Sequence, residues 1–431
     1  MEKLFKLKEH NTNVRTEIIA GVTTFMTMAY IIFVNPMLLS DELGAGMDFG
    51  AVMTATIIAA AVTTILMGLV TNYPFALASG MGLNAFFSFV VAAQYGWQTA
   101  LGAVFLSGVI FLILSVTGIL RLIDNAIPTT LKRAVAAGIG LFIAYIGLQS
   151  GGIIVSDEAT QITLGNLSEP GPLLAIIGIV ITAVLMARKV RGAILIGILL
   201  TTIISFFMGI QTPPSGLGDI FGMPAPLTPI LLKLDIKSAL SIPFFVIFSF
   251  FFVDVFDTMG TLIGTGARAG FLDEKGRLPK VSQAMTVDAI GTMGGALLGT
   301  STVTTYVEST AGISEGGRTG LTSVVTGVLF LLTLFIAPLA GLVPSEATAP
   351  ALVIVGVLMI GAVMEIDFND FTEAFPAFLT MIIMPLAYSI ADGIAFGFIA
   401  YPLVKLIAGK GREVHWLVYI LALIALTHFI F

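Results

Sequence analysis

Residues 241–264 read SIPFFVIFSFFFVDVFDTMGTLIG, and residues 299–313 read GTSTVTTYVESTAGI. Both stretches are apolar and contain no basic side chain, yet they carry Asp254, Asp257 and Glu308. At membrane depth an ionised carboxylate costs roughly 2.5 to 3.5 kcal/mol on insertion scales. Such an acid can be a structural hydrogen-bond partner, but its cost favours a site for a substrate, an ion or a proton.

The composition places these stretches in a membrane. Of 431 residues, 57% are apolar and 11% are charged, whereas an average soluble domain has roughly 25% charged residues. A soluble all-helical protein would need polar stripes at helical period, and segments such as 51–70 and 319–341 have none. The apolar run after the basic N-terminus lacks a small-residue cleavage signature, so we expect no removed signal peptide. We therefore expect a polytopic membrane protein.

Several kinds of site are excluded by composition. Cysteine is absent, and the three histidines, His10, His415 and His428, lie near the chain ends. This excludes a disulfide framework, a thiolate metal site and a cysteine nucleophile. We expect no cofactor and no metal site. The formal charge of −6 is no signature of a nucleic-acid partner.

The basic side chains predict the orientation. If the apolar segments cross the membrane fourteen times from a cytoplasmic N-terminus, eighteen of the 20 basic residues lie inside, and only Lys233 and Lys237 lie outside. We therefore expect a multi-pass protein of the cell inner membrane with its N-terminus in the cytoplasm. The tail, 415–431, is apolar but short for a span of about 20 residues, which leaves an interfacial and a half-inserted helix open.

Two of the apolar segments are unlike ordinary spans. The third contains PFALASGMGLNAFFSF (74–89), and the tenth contains TSTVTTYVESTAGISEGG (300–317). Both are rich in small residues, and the β-branched run in the tenth prefers an extended backbone. Extended backbone survives at membrane depth only where its amide groups are paired or line a cavity. We expect two short antiparallel β-strands, each followed by a half helix.

These two segments are related by their spacing. They lie about 229 residues apart, so that Thr71 matches Thr300 and Ser79 matches Glu308. Each is third in a set of seven, and because seven is odd, the second set enters from the opposite side. Inverted repeats of this kind place a substrate site between paired broken helices. The predicted fold is an all-α polytopic membrane protein with fourteen membrane segments in a 7+7 inverted repeat.

The predicted site combines free amide groups with carboxylates. Half-helix N-termini offer N–H groups with a positive dipole, which disfavours a metal cation, while the acids disfavour an anion. A flat heterocycle suits both, because one carboxylate accepts two parallel N–H bonds while Asn84 or main-chain amides donate to ring nitrogen or carbonyl oxygen. Phe251 is a candidate for stacking on the ring, although packing is the commoner role of such a residue. Ser309, directly after Glu308, is a further candidate contact.

A family resemblance rests on four motifs taken together. VDVFDTMGTLIG (253–264) and TTYVESTAGISEGGRTGL (304–321) occur with GMGLNAFF (80–87) and TEIIAGVTTFMTMAYIIFVNP (16–36). In this combination the chain resembles the AzgA-like branch of the nucleobase/ascorbate transporter superfamily. The resemblance extends over nearly the whole chain.

The resemblance implies a proton-coupled purine importer in which a core domain (spans 1–4 and 8–11) moves against a gate domain (spans 5–7 and 12–14). Members of this branch take hypoxanthine, guanine or adenine. Which purine is preferred stays open, as does a homodimer through the gate domain. The implied boundaries are core 1–124 and 240–342, gate 125–212 and 343–409, an outer amphipathic segment 213–239 and a tail 410–431.

The motif residues of the family fall on Asp254, Asp257, Glu308 and Asn84. Where the wider superfamily has a glutamate followed by a histidine, this chain has Asp257 and Thr258, so a histidine-based proton relay has no counterpart here.

For the mechanism we expect Glu308 to bind the purine edge and Asp257 to share the ligand or to carry the coupling proton. Asp254, three residues earlier, supports that site or is itself the proton site. For Asp288 in the ninth span, a buried structural hydrogen bond is favoured over a role in transport.

Three other functions were weighed. An anion exchanger or channel on the same scaffold would use half-helix N-termini without acids, so the carboxylates count against it. An intramembrane enzyme would need a catalytic motif, and neither HExxH nor a GxGD motif within an apolar span occurs, since GLGD (216–219) lies in the predicted outer segment. A paired-aspartate mechanism using Asp254 and Asp257 stays open until product formation is tested. A cation transporter would depend on a sodium gradient rather than a proton gradient. We expect a transporter of purines that is not an enzyme.

Overall fold

The structure is a computed structural model and describes residues 2–40, 44–274 and 277–430. Lys275, one of the predicted inner basic residues, lies outside the described residues.

The first half of the described chain is helical apart from three short strands. Its elements are α1 (Glu2–Phe5), α2 (Val14–Met28), α3 (Ile31–Ser40), α4 (Phe49–Thr71), β1 (Leu77–Ser79), α5 (Met81–Phe86), a π-helical turn (Phe87–Ala92), α6 (Ala93–Tyr95), α7 (Trp97–Thr117), α8 (Leu120–Ala126), α9 (Thr129–Ser150), β2 (Ile154–Asp157), β3 (Gln161–Leu164), α10 (Pro170–Ala187) and α11 (Ala193–Phe207).

The second half has the same character with one strand. Its elements are a 3-10 turn (Leu217–Asp219), α12 (Ile236–Ala239), α13 (Phe244–Ala269), α14 (Val281–Leu298), β4 (Val303–Thr305), α15 (Ser309–Ser314), α16 (Gly320–Thr333) with a 3-10 extension (Leu334–Leu342), α17 (Ser345–Ile360) with a 3-10 extension (Gly361–Glu365), α18 (Phe371–Leu386), α19 (Ile390–Ile407), a 3-10 turn (Gly411–Glu413) and α20 (Trp416–Ile430).

Many of these helices can cross a membrane. Within the described ranges, nine helical stretches are long and apolar enough to do so, and four shorter helices are also apolar. The longest stretches are Val14–Ser40, which combines α2 and α3, and Phe244–Ala269, which is α13. The chain is therefore built as a helical, polytopic membrane protein.

Strands β1 and β4 form an antiparallel pair in the interior. Leu77 pairs with Thr305, and Ser79 pairs with Val303. The pairing continues beyond the strands, where the Gly80 amide donates to the Thr302 carbonyl over 3.1 Å. All residues of both strands are buried, so these bonds satisfy main-chain groups that would otherwise be desolvated and unpaired. Half helix α5 follows β1 after Gly80, and half helix α15 follows β4 after the segment 306–308.

Glycines allow close helix packing in two groups of helices. Helix α4 packs against α14 and α16, whereas α9 packs against α17 and α18. A Cβ atom at Gly320 would overlap the carbonyl of Gly68, and one at Gly356 would lie 2.5 Å from the carbonyl of Gly140. Small residues at such crossings let membrane helices approach closely. That the two groups are a core and a gate domain stays a prediction.

Buried Glu17 caps a helix. Its carboxylate accepts hydrogen bonds from the amides of Arg318 (3.0 Å) and Thr319 (3.3 Å) and from the Thr322 hydroxyl (2.6 Å). These groups surround the first turn of α16, whose free amides favour a negative charge. Glu17 is thus a buried acid with a structural explanation.

The C-terminal tail packs along α19. At one end, Tyr419 donates to the Gly411 carbonyl just beyond α19 (3.0 Å). At the other end, His428 is 2.8 Å from Asp392 in the first turn of α19. Helix α20 therefore follows α19 over most of its length.

Candidate functional site

A small cavity of about 120 Å³ lies beside the β1–β4 pair. Its walls come from the β1–α5 junction, β4, the start of α15, and helices α9, α13 and α17. Most of the lining is apolar, with few polar groups, as is usual for small-molecule sites. The polar side chains are those of Tyr30, Asp257, Thr261, Thr304, Thr305, Tyr306 and Glu308.

Glu308 faces this cavity, and a hydrogen bond from a buried side chain holds its carboxylate in place. It directly precedes α15 and is partly exposed. The buried hydroxyl of Tyr30 donates to Glu308 Oε1 over 2.7 Å. Tyr30 lies in the short break between α2 and α3, and α2 packs against the half helix α15. A charge-assisted bond of this kind fixes the carboxylate at the position where a ligand would meet it.

Asp257 is the second carboxylate at the cavity. It is exposed on α13, and it interacts electrostatically with Glu308 and with the Thr304 hydroxyl. The Thr304 hydroxyl is in turn 2.7 Å from that of Thr258. Two acids and several hydroxyls thus converge on one small space. The arrangement can accept hydrogen bonds from N–H groups of a ligand and can hold a proton.

Asn84 lies outside the cavity wall. It is fully buried, and neither of its amide atoms has a partner among the described residues. Its neighbours Gly80, Met81, Gly82 and Leu83 line the cavity instead. The start of α5 therefore meets the cavity through glycines and apolar residues, and the binding role of Asn84 stays a prediction.

Ser309 and Phe251 also have packing roles in this structure. The Ser309 hydroxyl accepts a hydrogen bond from the Ala76 amide (3.0 Å), which links α15 to the chain before β1. Phe251 is buried and packs edge-on against Phe111, with 6.4 Å between ring centroids. Neither lines the small cavity.

Asp254 and Asp288 lie behind β4. Asp254 Oδ2 accepts from Thr292 (2.7 Å), and Asp288 Oδ2 accepts from Thr305 (3.0 Å). Their residues are 1% and 0% exposed, and neither lines the cavity. The hydrogen bond expected for Asp288 is present. In the part of the chain that the structure describes, the other oxygen of each carboxylate has no hydrogen-bond partner.

A larger cavity of about 580 Å³ continues from the small one. The two share Asp257 and Thr261 together with apolar residues of α9, α13 and α17. The larger cavity extends to ion pairs between Lys132 and Asp124 (2.5 Å) and between Arg133 and Glu365 (2.6 Å). The small cavity is thereby connected to a charged end of the molecule.

Several residues of the cavity wall cannot be identified from the sequence. Ile139 and Met359 are apolar residues on ordinary spans, and only the packing of α9 and α17 against the strand pair brings them to the cavity. Tyr30 did have a signal, because it lies within the motif 16–36 and is the only hydroxyl-bearing aromatic there.

Known proteins of similar sequence match this chain over its whole length. The guanine/hypoxanthine permease PbuG of Bacillus subtilis is 46% identical over 442 residues, which is 100% of both chains. The adenine permease AdeP of Escherichia coli is 43% identical over 434 residues, covering 100% of this chain and 96% of its own.

The fold is similar to that of solved membrane transporters. The transmembrane domain of a cyanobacterial bicarbonate transporter, BicA, has a TM-score of 0.66 at 16% identity and covers 88% of this chain and 97% of its own. This likeness concerns the fold alone. The model of the Permease family matches residues 15–396. The chain therefore belongs to this family of transporters, the nucleobase/ascorbate transporters that its motifs had indicated.

Proposed function

We propose that this protein imports purine nucleobases, coupled to protons, by alternating access of its core domain against its gate domain. The observation that carries the proposal is the pair of carboxylates, Glu308 and Asp257, at a small cavity beside the β1–β4 strands. Relatives of nearly full-length similarity are named as adenine and as guanine/hypoxanthine permeases.

Glu308 is the proposed purine ligand. A carboxylate held by Tyr30 from one side can accept two parallel N–H bonds from a purine edge. Guanine offers an N1–H and an amino group in this arrangement, whereas adenine offers N6–H beside an acceptor and would need a protonated acid. The relatives include permeases for both kinds of purine, so the proposal covers guanine, hypoxanthine and adenine.

Proton coupling is proposed for Asp257, Glu308 and Asp254. Desolvation and the nearness of another carboxylate both favour the protonated form of an acid. Asp257 and Glu308 interact across the cavity, and a proton on one of them would lower the cost of moving the loaded site. Such a pair of acids could couple transport to protons without the histidine that follows the eighth-span glutamate in the wider superfamily.

The route of transport is proposed from the cavities. The large cavity leads from Asp257 to Arg133 and Lys132, which lie on the side that the distribution of basic residues assigns to the cytoplasm. We interpret the structure as inward-facing. The fourteen-segment inverted repeat, the plasma-membrane location with a cytoplasmic N-terminus, and a homodimer through the gate domain belong to this proposal.

Direct binding tests the proposed ligand. Binding of guanine and hypoxanthine to the purified protein is measured for the wild type, for Glu308→Gln, and for Glu315→Gln as a matched control. Glu315 lies one residue beyond α15 and pairs with Arg191. We expect Glu308→Gln to abolish binding and Glu315→Gln to retain it. Retained purine binding in Glu308→Gln would refute the assignment. Bicarbonate or sulfate binding in place of purine would favour an anion exchanger.

A further inference from the structure

The two acids behind β4 form a cluster that substrate binding does not explain. Asp254 on α13 and Asp288 on α14 interact electrostatically. Both are almost completely buried, and each has one oxygen without a hydrogen-bond partner among the described residues. Within the described ranges, neither acid interacts with a basic side chain. Two desolvated carboxylates without a counter-cation cannot both stay ionised at low cost.

Glu17 shows what a purely structural buried acid looks like in this chain. Both of its oxygens accept hydrogen bonds, from Arg318, Thr319 and Thr322. The unpartnered oxygens of Asp254 and Asp288 differ from this pattern and remain able to accept a proton. They are too few for a divalent cation, which takes about six oxygen ligands.

Threonine hydroxyls connect this cluster to the cavity. Asp257 at the cavity interacts with Thr304, whose hydroxyl is 2.7 Å from that of Thr258. Thr258 in turn interacts electrostatically with Asp288, and Asp288 also accepts a hydrogen bond from the cavity residue Thr305 over 3.0 Å. Either threonine can be the donor in the Thr258–Thr304 bond, so the chain of hydroxyls can be polarised in both directions.

We propose that Asp254 and Asp288 share one exchangeable proton, and that Thr304 and Thr258 conduct it to and from Asp257. This inference rests on the proposed proton-coupled function and deepens it. In the transfer, protonated Asp257 gives its proton to Thr304, Thr304 gives its own hydroxyl proton to Thr258, and Thr258 gives its own to Asp288. Each hydroxyl gains and loses one proton, so only the two carboxylates change charge.

The relay separates purine binding at the cavity from storage of the coupling proton. Asp257 meets the cavity, and the buried pair stores the proton out of reach of bulk water. A purine could then leave without taking the coupling proton along. Proton relays of acidic side chains inside membrane bundles are a known physical solution to this problem.

The test counts protons moved per purine in proteoliposomes, using a pH-sensitive dye and radiolabelled hypoxanthine. We expect Asp288→Asn to lower purine-linked proton movement at least tenfold, while hypoxanthine counterflow stays within about twofold of the wild type. Thr258→Val keeps both acids and should slow proton movement several-fold, also with counterflow retained. The matched controls are Glu17→Gln, which should lose thermal stability but keep its proton count, and Thr326→Val, a buried hydroxyl away from the acids.

The outcomes separate this inference from the function itself. If the wild type accumulates hypoxanthine but Asp288→Asn moves as many protons per purine, the relay is refuted. If Asp288→Asn loses counterflow and stability together, Thr258→Val decides, and an unchanged proton count in that variant refutes the relay. If sodium replaces protons in the wild type, the proposed proton coupling itself fails. If the wild type neither binds nor moves purines, it is the proposed function that fails.

Discussion

Tyr30 orients the carboxylate of Glu308, the proposed purine ligand, at the cavity. Its hydroxyl donates to Oε1 over 2.7 Å, and its ring is completely buried. Hydrogen bonds to charged groups contribute about 1.5–3 kcal/mol, and each 1.4 kcal/mol corresponds to a factor of about ten in affinity. The orientation of one carboxylate therefore depends on a side chain about 280 residues away in sequence.

We expect Tyr30→Phe to weaken purine binding by about tenfold or more, because the Glu308 carboxylate loses its fixed orientation while the ring still fills its space. Isothermal titration with hypoxanthine measures the change. Tyr419→Phe is the matched control, because it removes a hydroxyl of the tail that donates to Gly411. Equal affinity in Tyr30→Phe and the wild type would show that Tyr30 does not position Glu308.

At the residue scale, two of the three predicted acids, Asp257 and Glu308, line the cavity, whereas the third, Asp254, and the neutral candidates do not. An unpaired carboxylate in an apolar stretch has few physical explanations, so Asp257 and Glu308 could be identified as cavity residues without coordinates. Asn84 could not be placed in the same way, because the rotation of a half helix decides whether its side chain meets the cavity or the packed interior. Its burial depends on how α5 packs.

At the element scale, the strand pair sets the width of the cavity. Gly80 lines the cavity at the end of β1, and a Cβ atom there would lie 2.9 Å from Cγ2 of Thr304 on the paired strand. Contacts under 3 Å force one of the two groups to move.

We expect Gly80→Ala to lower hypoxanthine affinity about tenfold by displacing Thr304 towards Asp257. Adding Thr304→Ser, which removes the clashing methyl group and keeps the hydroxyl, should recover most of the affinity. Binding measured across this double-mutant cycle isolates the interaction. Equal losses in Gly80→Ala with and without Thr304→Ser would contradict the strand-pair explanation.

The ends of α18 and α19 carry a second testable contact. The Lys410 ammonium donates to Asp370 over 2.6 Å and, with Thr372, holds the pKa of Asp370 well below its ordinary value. For a lowered pKa, the stabilisation is fully present above the unfolded-state pKa of about 3.9 and is lost as the pH falls further. The difference in Tm between the wild type and Lys410→Met should therefore shrink below about pH 4. A difference that is constant from pH 7 to pH 3 would refute this linkage.

The elements were predictable where local chemistry dictates backbone conformation. The β-branched run 302–305 and Pro74 favour extended chain, and β4 spans Val303–Thr305. The length of the tail allows either an interfacial or a half-inserted helix, and it does not show that His428 meets Asp392. The contribution of α9 and α17 to the cavity wall likewise cannot be predicted from the sequence. Residues that meet only through long-range packing show no local sequence pattern.

At the scale of the whole molecule, the cavities predict which side of the membrane reaches the site. Gly264 lines the large cavity, is exposed, and has no atom within 4 Å of an added Cβ. The chain contains no cysteine, so a single introduced thiol can be labelled without background.

We expect Gly264→Cys to react with a membrane-impermeant thiol reagent from the cytoplasmic face, and a saturating purine to slow the reaction at least threefold. Thr326→Cys, fully buried between α16 and α2, should stay unlabelled from both faces. Labelling of Gly264→Cys from the outside alone would reverse the proposed orientation.

The central claim is that this carboxylate-lined cavity moves purines with protons. Its most direct test is uptake of radiolabelled hypoxanthine into proteoliposomes with and without an inward proton gradient, in competition with unlabelled guanine, adenine, uracil and sulfate. We expect uptake above equilibrium only with the gradient, blocked by purines and unaffected by uracil or sulfate. Gradient-independent uptake, or sulfate flux without purine uptake, would contradict it.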